Sequence, residues 1–215
     1  MMWRCISVNI TSTYEAWLLE KEALVTNVRA KMGEHRFCHT LSVAKETLSL
    51  AEAFVFSEND AKRLFVAALL HDYTKAYSTE KQLSIAKEYG VTLSKDDLAS
   101  PPVLHSRTAA AVVSKKFPND TDDEICEAIR CHTVGKKEMS LFDKLLFLAD
   151  YIEETRTHPI CQETRKQFYE KLASGNNKEK TLNDTLRQVL QNTIDYVTKQ
   201  GNKVHSDSLN MLENL

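Results

Sequence analysis

Residues 64–70 read Leu-Phe-Val-Ala-Ala-Leu-Leu, the most apolar run in the chain, and His71 and Asp72 follow at once. Two ionisable groups at the inner end of so apolar a helix are costly to bury without a partner. A metal ion converts that cost into coordination bonds. His39, His105, His132 and Asp150 are the candidate co-ligands, because each lies near a helix end or in an apolar stretch. Asp150, for example, stands between Phe147-Leu148-Ala149 and Tyr151-Ile152.

The surrounding pattern is helical. With 5 Gly and 4 Pro in 215 residues there are few breaks. A first helix is expected over residues 13–31, stopped by Gly33. A second, over 34–54, carries one apolar stripe through Phe37, Leu41, Ala44, Leu48, Ala51 and Val55 and another through His39, Val43, Leu50 and Phe54. A helix buried on two sides is central, and His39 then points inward. Ser57 to Asp60 is a capping cluster for the helix that ends in His71-Asp72. Further helices are expected over 79–89, 105–117, from the caps at Asp120 to Asp123 up to His132, over 141–154 behind Ser140, and over 182–199. Residues 91–103 and 133–138 read as loops, and residues 5–8 offer the one possible strand. The chain reads as one all-α domain: an N-terminal extension and first helix over 1–33, the main domain over 34–201 and a polar, loosely held tail over 202–215.

A formal net charge of -2 argues against a DNA- or RNA-binding surface, which needs a basic excess. No apolar stretch approaches the ~20 residues of a membrane span, and no secretory signal is visible. Five cysteines without CxxC spacing favour reduced thiols and a cytoplasmic setting. The amphipathic first and last helices could pack on a second copy, so a homodimer is possible.

Any one of these histidines alone reads as an ordinary hydrogen-bonded residue. It is the joint set that points to a metal, whereas His35, His158 and His205 read as surface residues. Imidazole and carboxylate without thiolate disfavour a closed zinc site and suit iron, manganese or another divalent ion in an open, water-keeping site. Such a site brings the pKa of bound water towards neutrality, and a phosphoryl group is its natural target.

Several segments together resemble a known family. They are Arg36-Phe37-Cys38-His39-Thr40, Leu69-Leu70-His71-Asp72-Tyr73-Thr74-Lys75, Leu104-His105, Ala128 to Gly135, and Leu148-Ala149-Asp150-Tyr151-Ile152-Glu153 with Arg156. In that order they resemble the HD-domain superfamily, most closely its YqeK-type symmetrical diadenosine tetraphosphate hydrolases. The resemblance implies a helical bundle with a buried dinuclear metal site, usually iron. It assigns His39, His71, Asp72 and Asp150 to one ion, with Asp72 bridging to a second ion held by His105 and His132. It also implies cleavage of a dinucleoside tetraphosphate at its midpoint into two nucleoside diphosphates. Ser106-Arg107 departs from the pattern, which has a small glycine-containing segment there.

On this reading Asp72 and Lys75 are catalytic. Lys75 neutralises charge on the phosphate chain or assists the leaving group, unless it is simply solvated. Arg36 and Arg156 clamp phosphate or pair with Glu34 and Glu153. Thr133 and Gly135 offer a loop whose backbone N–H groups face phosphate. Asp143 orients a ligand histidine or caps its own helix. The alternatives are another HD phosphohydrolase (a nucleotidase or cyclic-nucleotide phosphodiesterase), a regulatory helical module with a structural metal, and a histidine pH switch.

Overall fold

The computed structural model describes residues 3–215, with side chains from Thr11 onward. In chain order the helices are α1 (Trp3–Glu20), α2 (Glu22–Arg29), α3 (Glu34–Ala53), α4 (Glu58–Leu70), α5 (Thr79–Glu88), α6 (Lys95–Ala99), a 3-10 turn (Pro101–Val103), α7 (Leu104–Lys116), α8 (Asp123–Cys131), α9 (Leu141–Ile152), α10 (Pro159–Ala173), α11 (Lys178–Lys199) and α12 (Ser206–Asn214). There is no strand among the described residues, and none of their helices is long and apolar enough to cross a membrane.

The apolar run decides the architecture. Every residue from Leu64 to Leu70 is at most 3% exposed, so the second half of α4 has no solvent face and needs neighbours all round. It packs on α3, α8 and α9, while α7 lies across α8. Leu50 and Val43 of α3 and Leu145, Leu146 and Leu148 of α9 complete the core, each fully buried. A buried leucine contributes about 1.5–3 kcal/mol, so this core holds the helix ends beside His71 in place. Caps start the helices where the sequence places them. Ser57 accepts the Asp60 N–H at 3.1 Å, Asp122 accepts the Ile125 N–H at 2.9 Å, and Ser140 forms a capping box with Asp143.

Five expectations are corrected. Residues 13–31 are not one helix: the backbone breaks step at Lys21, which turns Leu24 and Val28 into the core while Trp17 packs edge-on to Phe65 at 5.6 Å. Residues 5–8 lie inside α1. The segment 91–103 contains α6, held by a Ser94–Asp97 capping box, and the 3-10 turn. The stretch after Gly201 is not a loose tail. It forms α12, capped by His205, and Met211 on it is 1% exposed. His205 is itself buried and bonded, not a surface residue. One further helix, α10, lies in a stretch the periodicity left unassigned; Pro159 at its start and the fully buried Phe168 explain it. The apolar face of α11, through Leu182, Leu186 and Val189, is buried within the chain.

Candidate metal centre

The four histidines named from sequence meet in the middle of this bundle, and each is oriented from behind. His71 closes α4 and its Nδ1 bonds the Ala68 carbonyl at 2.6 Å. His132 closes α8 with Nδ1 2.7 Å from the Ile129 carbonyl. His105, in the first turn of α7, sets Nδ1 2.7 Å from the Pro102 carbonyl. His39, inside α3, sets Nδ1 3.0 Å from Glu153 Oε1. A carbonyl or carboxylate only accepts, so each Nδ1 carries a proton, and in the neutral ring Nε2 then carries a lone pair.

Those Nε2 atoms converge. His105 Nε2 and His132 Nε2 are 3.1 Å apart, two lone pairs face to face with no proton between neutral rings. His71 Nε2 is buried without a hydrogen-bond partner. Asp72 sits between the rings. Its Oδ1 is 3.1 Å from His105 Nε2 and 3.9 Å from His132 Nε2, and its Oδ2 is 3.4 Å from His71 Nε2 and 3.9 Å from His39 Nε2. Asp150 Oδ1 lies 3.0 Å from His39 Nε2. Two sets of donor atoms, from His39, His71 and Asp150 and from His71, Asp72 and His132, each lie within 4.8 Å of one another. All six predicted donors are thus gathered, and their chemistry fits cations. Converging neutral imidazoles and carboxylates repel one another until a positive ion stands among them.

The electrostatics differ between the two halves of the centre: burial would lower His39, but its hydrogen bonds to Asp150 and Glu153 raise it overall. Burial, reinforced by the neighbouring His71 and His105, takes His132 down to about 3, which keeps it neutral. Burial also lowers His105, against the pull of Asp72. Burial alone would raise the Asp72 carboxyl, but the imidazoles of His71 and His105 hold it well below the usual range. Asp150 is likewise held down against burial, by His39 and the Arg156 charge.

A rim of cations surrounds the donors. Arg36 Nη1 bonds Asp72 Oδ2 at 2.8 Å, not Glu34, which pairs with Arg29. Arg156 bonds Asp150 Oδ1 at 2.6 Å and lies 3.8 Å from Glu153. Lys75 follows α4 in a tight turn whose amide bonds the Asp72 carbonyl, and its Nζ lies 3.4 Å from His105 Nε2, the ring nitrogen that can accept. Burial lowers its pKa, and Arg36 and Arg156 add to that against the pull of Asp72 and Asp150. Thr133 Oγ1 is 3.3 Å from His132 Nε2. Gly135 differs from expectation: its N–H is taken by the Cys131 carbonyl at 2.7 Å, so it does not face the site. Asp143 orients no histidine. It accepts the Ser140 N–H and the Lys136 ammonium instead.

The residue that does orient a histidine is Glu153, which is fully buried. Sequence reasoning treated it only as a possible partner of Arg156. It leaves α9 in extended conformation, so helical spacing could not aim it, and His39 is 114 positions away. Arg165 fixes the turn by donating to the carbonyls of Ile152 and Glu153.

Comparison with known proteins agrees with this geometry. The HD domain model matches residues 36–155. The symmetrical bis(5'-nucleosyl)-tetraphosphatase of Bacillus subtilis is 32% identical over 190 residues, 88% of this chain and 94% of that protein. The protein of the same name from Halalkalibacterium halodurans is 30% identical over 85% of this chain and 89% of its own. A solved structure, described as a predicted HD superfamily hydrolase involved in NAD metabolism from Clostridium acetobutylicum, superimposes with a TM-score of 0.77 at 27% identity, covering 90% of this chain and 95% of that one. With its histidines and aspartates gathered at one centre and its relatives matched along most of their length, the chain belongs to the HD-domain family.

Proposed function

We propose that this chain is a metal-dependent phosphoanhydride hydrolase that splits dinucleoside tetraphosphates at the midpoint, diadenosine tetraphosphate and water giving two ADP. The observation that carries the reading is the convergence of four Nε2 atoms about Asp72 beneath a rim of Arg36, Lys75 and Arg156. The relatives named symmetrical bis(5'-nucleosyl)-tetraphosphatase support the substrate. His39, His71, Asp72 and Asp150 would hold one divalent ion and Asp72, His105 and His132 the other, with iron the best match to this donor set and manganese the next. Bound there, the ions supply a water activated at neutral pH and counter charge on phosphoryl oxygens.

The chain's own residues do the rest. Asp72 presents one oxygen to each half of the centre. Arg36 and Arg156 retain solvent contact, with about a third of each side chain exposed (32% and 37%). Their guanidinium groups match phosphate oxygens in pairs, so the polyphosphate competes with Asp72 and Asp150 for them. Lys75, with its depressed pKa, holds a proton beside the departing diphosphate. Thr133 offers a hydroxyl donor at the same edge. The described cysteines are free, which supports a reducing, cytoplasmic setting.

The test is hydrolysis of diadenosine tetraphosphate by protein purified anaerobically and supplied with Fe2+ or Mn2+. ADP alone as product is expected. ATP with AMP, or faster turnover of a phosphomonoester or cyclic nucleotide, overturns the substrate assignment.

A further inference from the structure

Arg107, two residues after His105 in α7, is 5% exposed. Three acceptors from three elements share its guanidinium. Nε donates to Asp97 Oδ1 of α6 at 2.9 Å, Nη1 to the Arg130 carbonyl of α8 at 2.6 Å, and Nη2 to Asp207 Oδ2 of α12 at 2.7 Å. Arg107 lies two residues after His105, and Arg130 two before His132. One planar group therefore ties α7 to α8 at the level of the two imidazoles. A lysine could not reproduce that fork.

The far end of the tie is anchored on the same loop. Ser208 of α12 donates to the Val134 carbonyl at 3.0 Å in a buried contact. Met211 fills the space that a Cβ on Gly135 would need, with its own Cβ only 3.2 Å from that point. Gly135 has φ +76°, so both its conformation and the space around it call for glycine. Thus α12 closes over Val134 and Gly135, in the loop that follows His132.

We infer that Arg107 is a positioning residue, and α12 its anchor, which together set the spacing of His105 and His132 and so tune the half of the centre built from those two. The His39 and Asp150 half stands on α3 and α9, outside this network. The inference rests on the reading of the centre as a two-ion site.

Anaerobic calorimetric titration with Fe2+, repeated with Mn2+, tests it on the wild type, Arg107→Lys, Asp207→Asn and a chain ending at residue 201. The wild type should bind two ions. Each variant should keep the tighter ion within about threefold and weaken the other by about 10- to 100-fold, the range for lost partners of ligand histidines. In the metal-free proteins, amide exchange at Gly135 should quicken in the variants. Because the shortened chain is the one that could fail to fold, the two point variants decide. Unchanged binding of both ions, or parallel weakening of both, overturns the inference. A wild type that binds fewer than two ions overturns the reading of the centre itself, and that failure appears before any substitution is made.

Discussion

Replacing Glu153 separates orientation from folding at this centre. The side chain is fully buried, and its carboxylate accepts from His39 Nδ1 at 3.0 Å, from the Thr155 N–H at 2.5 Å and from the Thr155 hydroxyl at 2.7 Å. Burial pushes its pKa up, yet the hydrogen bonds from His39 and Thr155 reverse this and hold it at about 2. Glu153→Ala strands three donors. Thr155 is exposed, so its two can turn to water, whereas the His39 N–H stays buried at a cost of about 1–3 kcal/mol. With the lost packing, the metal-free protein should lose roughly 2–4 kcal/mol. Glu153→Gln keeps an oxygen for His39 and the volume, so it should lose only about 1 kcal/mol. It also removes the negative charge that makes the imidazole a stronger donor, which should weaken the ion held by His39 about 10- to 100-fold. Urea unfolding of the metal-free proteins and calorimetric titration with Mn2+ read the two effects separately. If the Gln variant binds both ions as tightly as the wild type, Glu153 serves only to shape the turn after α9 and the orientation argument fails.

Two further substitutions probe the scaffold. Burial raises Glu46 to about 7, with Glu153 and Glu154 adding to this and the Tyr169 hydroxyl and Arg165 opposing it. A carboxyl with a raised folded-state pKa contributes stability below its ordinary value of 4.5, and that stability is lost as pH rises through about 7. At about 1.4 kcal/mol per unit, tempered by its partial exposure, Glu46→Gln should match the wild type near pH 4 and exceed it by about 2 kcal/mol at pH 8. Equal urea midpoints for the two proteins at pH 8 would contradict this. Val55, expected on the apolar stripe of α3, instead lies just past the end of that helix at φ 58°, with 79% of its surface exposed. The left-handed region costs such a residue about 1–2 kcal/mol, and glycine's extra chain entropy returns about half of that. Val55→Gly should therefore raise the melting temperature by about 2–4 °C, and a lower value in calorimetry would refute the strain.

What the sequence made legible follows from the size of the cost each residue carries. The apolar run of α4 and the two stripes of α3 demand burial on their own, so the central helices and the direction of His39 and His71 could be read directly. Asp72 and Asp150 were legible for the opposite reason, since carboxylates in apolar stretches demand compensation. By contrast, α12 buries only Ser208 and Met211. Polar ties hold it down: Arg107 to Asp207, and His205 to Asp97 at 3.3 Å. No apolar period announces such a helix, and a surface-like composition made it resemble a tail. For the same reason His205 was misplaced: its partner is 108 positions away.

The position of each histidine in its helix explains which of its partners could be foreseen. The last carbonyls of a helix have no intrahelical N–H to accept. His71 and His132 stand just past the ends of α4 and α8, so each finds a free carbonyl three residues back, at Ala68 and Ile129, and bonds it with Nδ1. His105, preceded by a 3-10 turn, does the same with Pro102. A histidine at a helix end thus fixes its own tautomer locally, and a His-Asp pair closing an apolar helix is an oriented ligand by construction. His39 lies inside α3, where the ladder of the helix engages the carbonyls behind it. It needs an acceptor from elsewhere in the fold, and Glu153 supplies it. The distant partner was therefore hidden at the one imidazole whose helix offers no acceptor of its own, and the same reasoning makes Glu153 the orienting contact that a single substitution can remove.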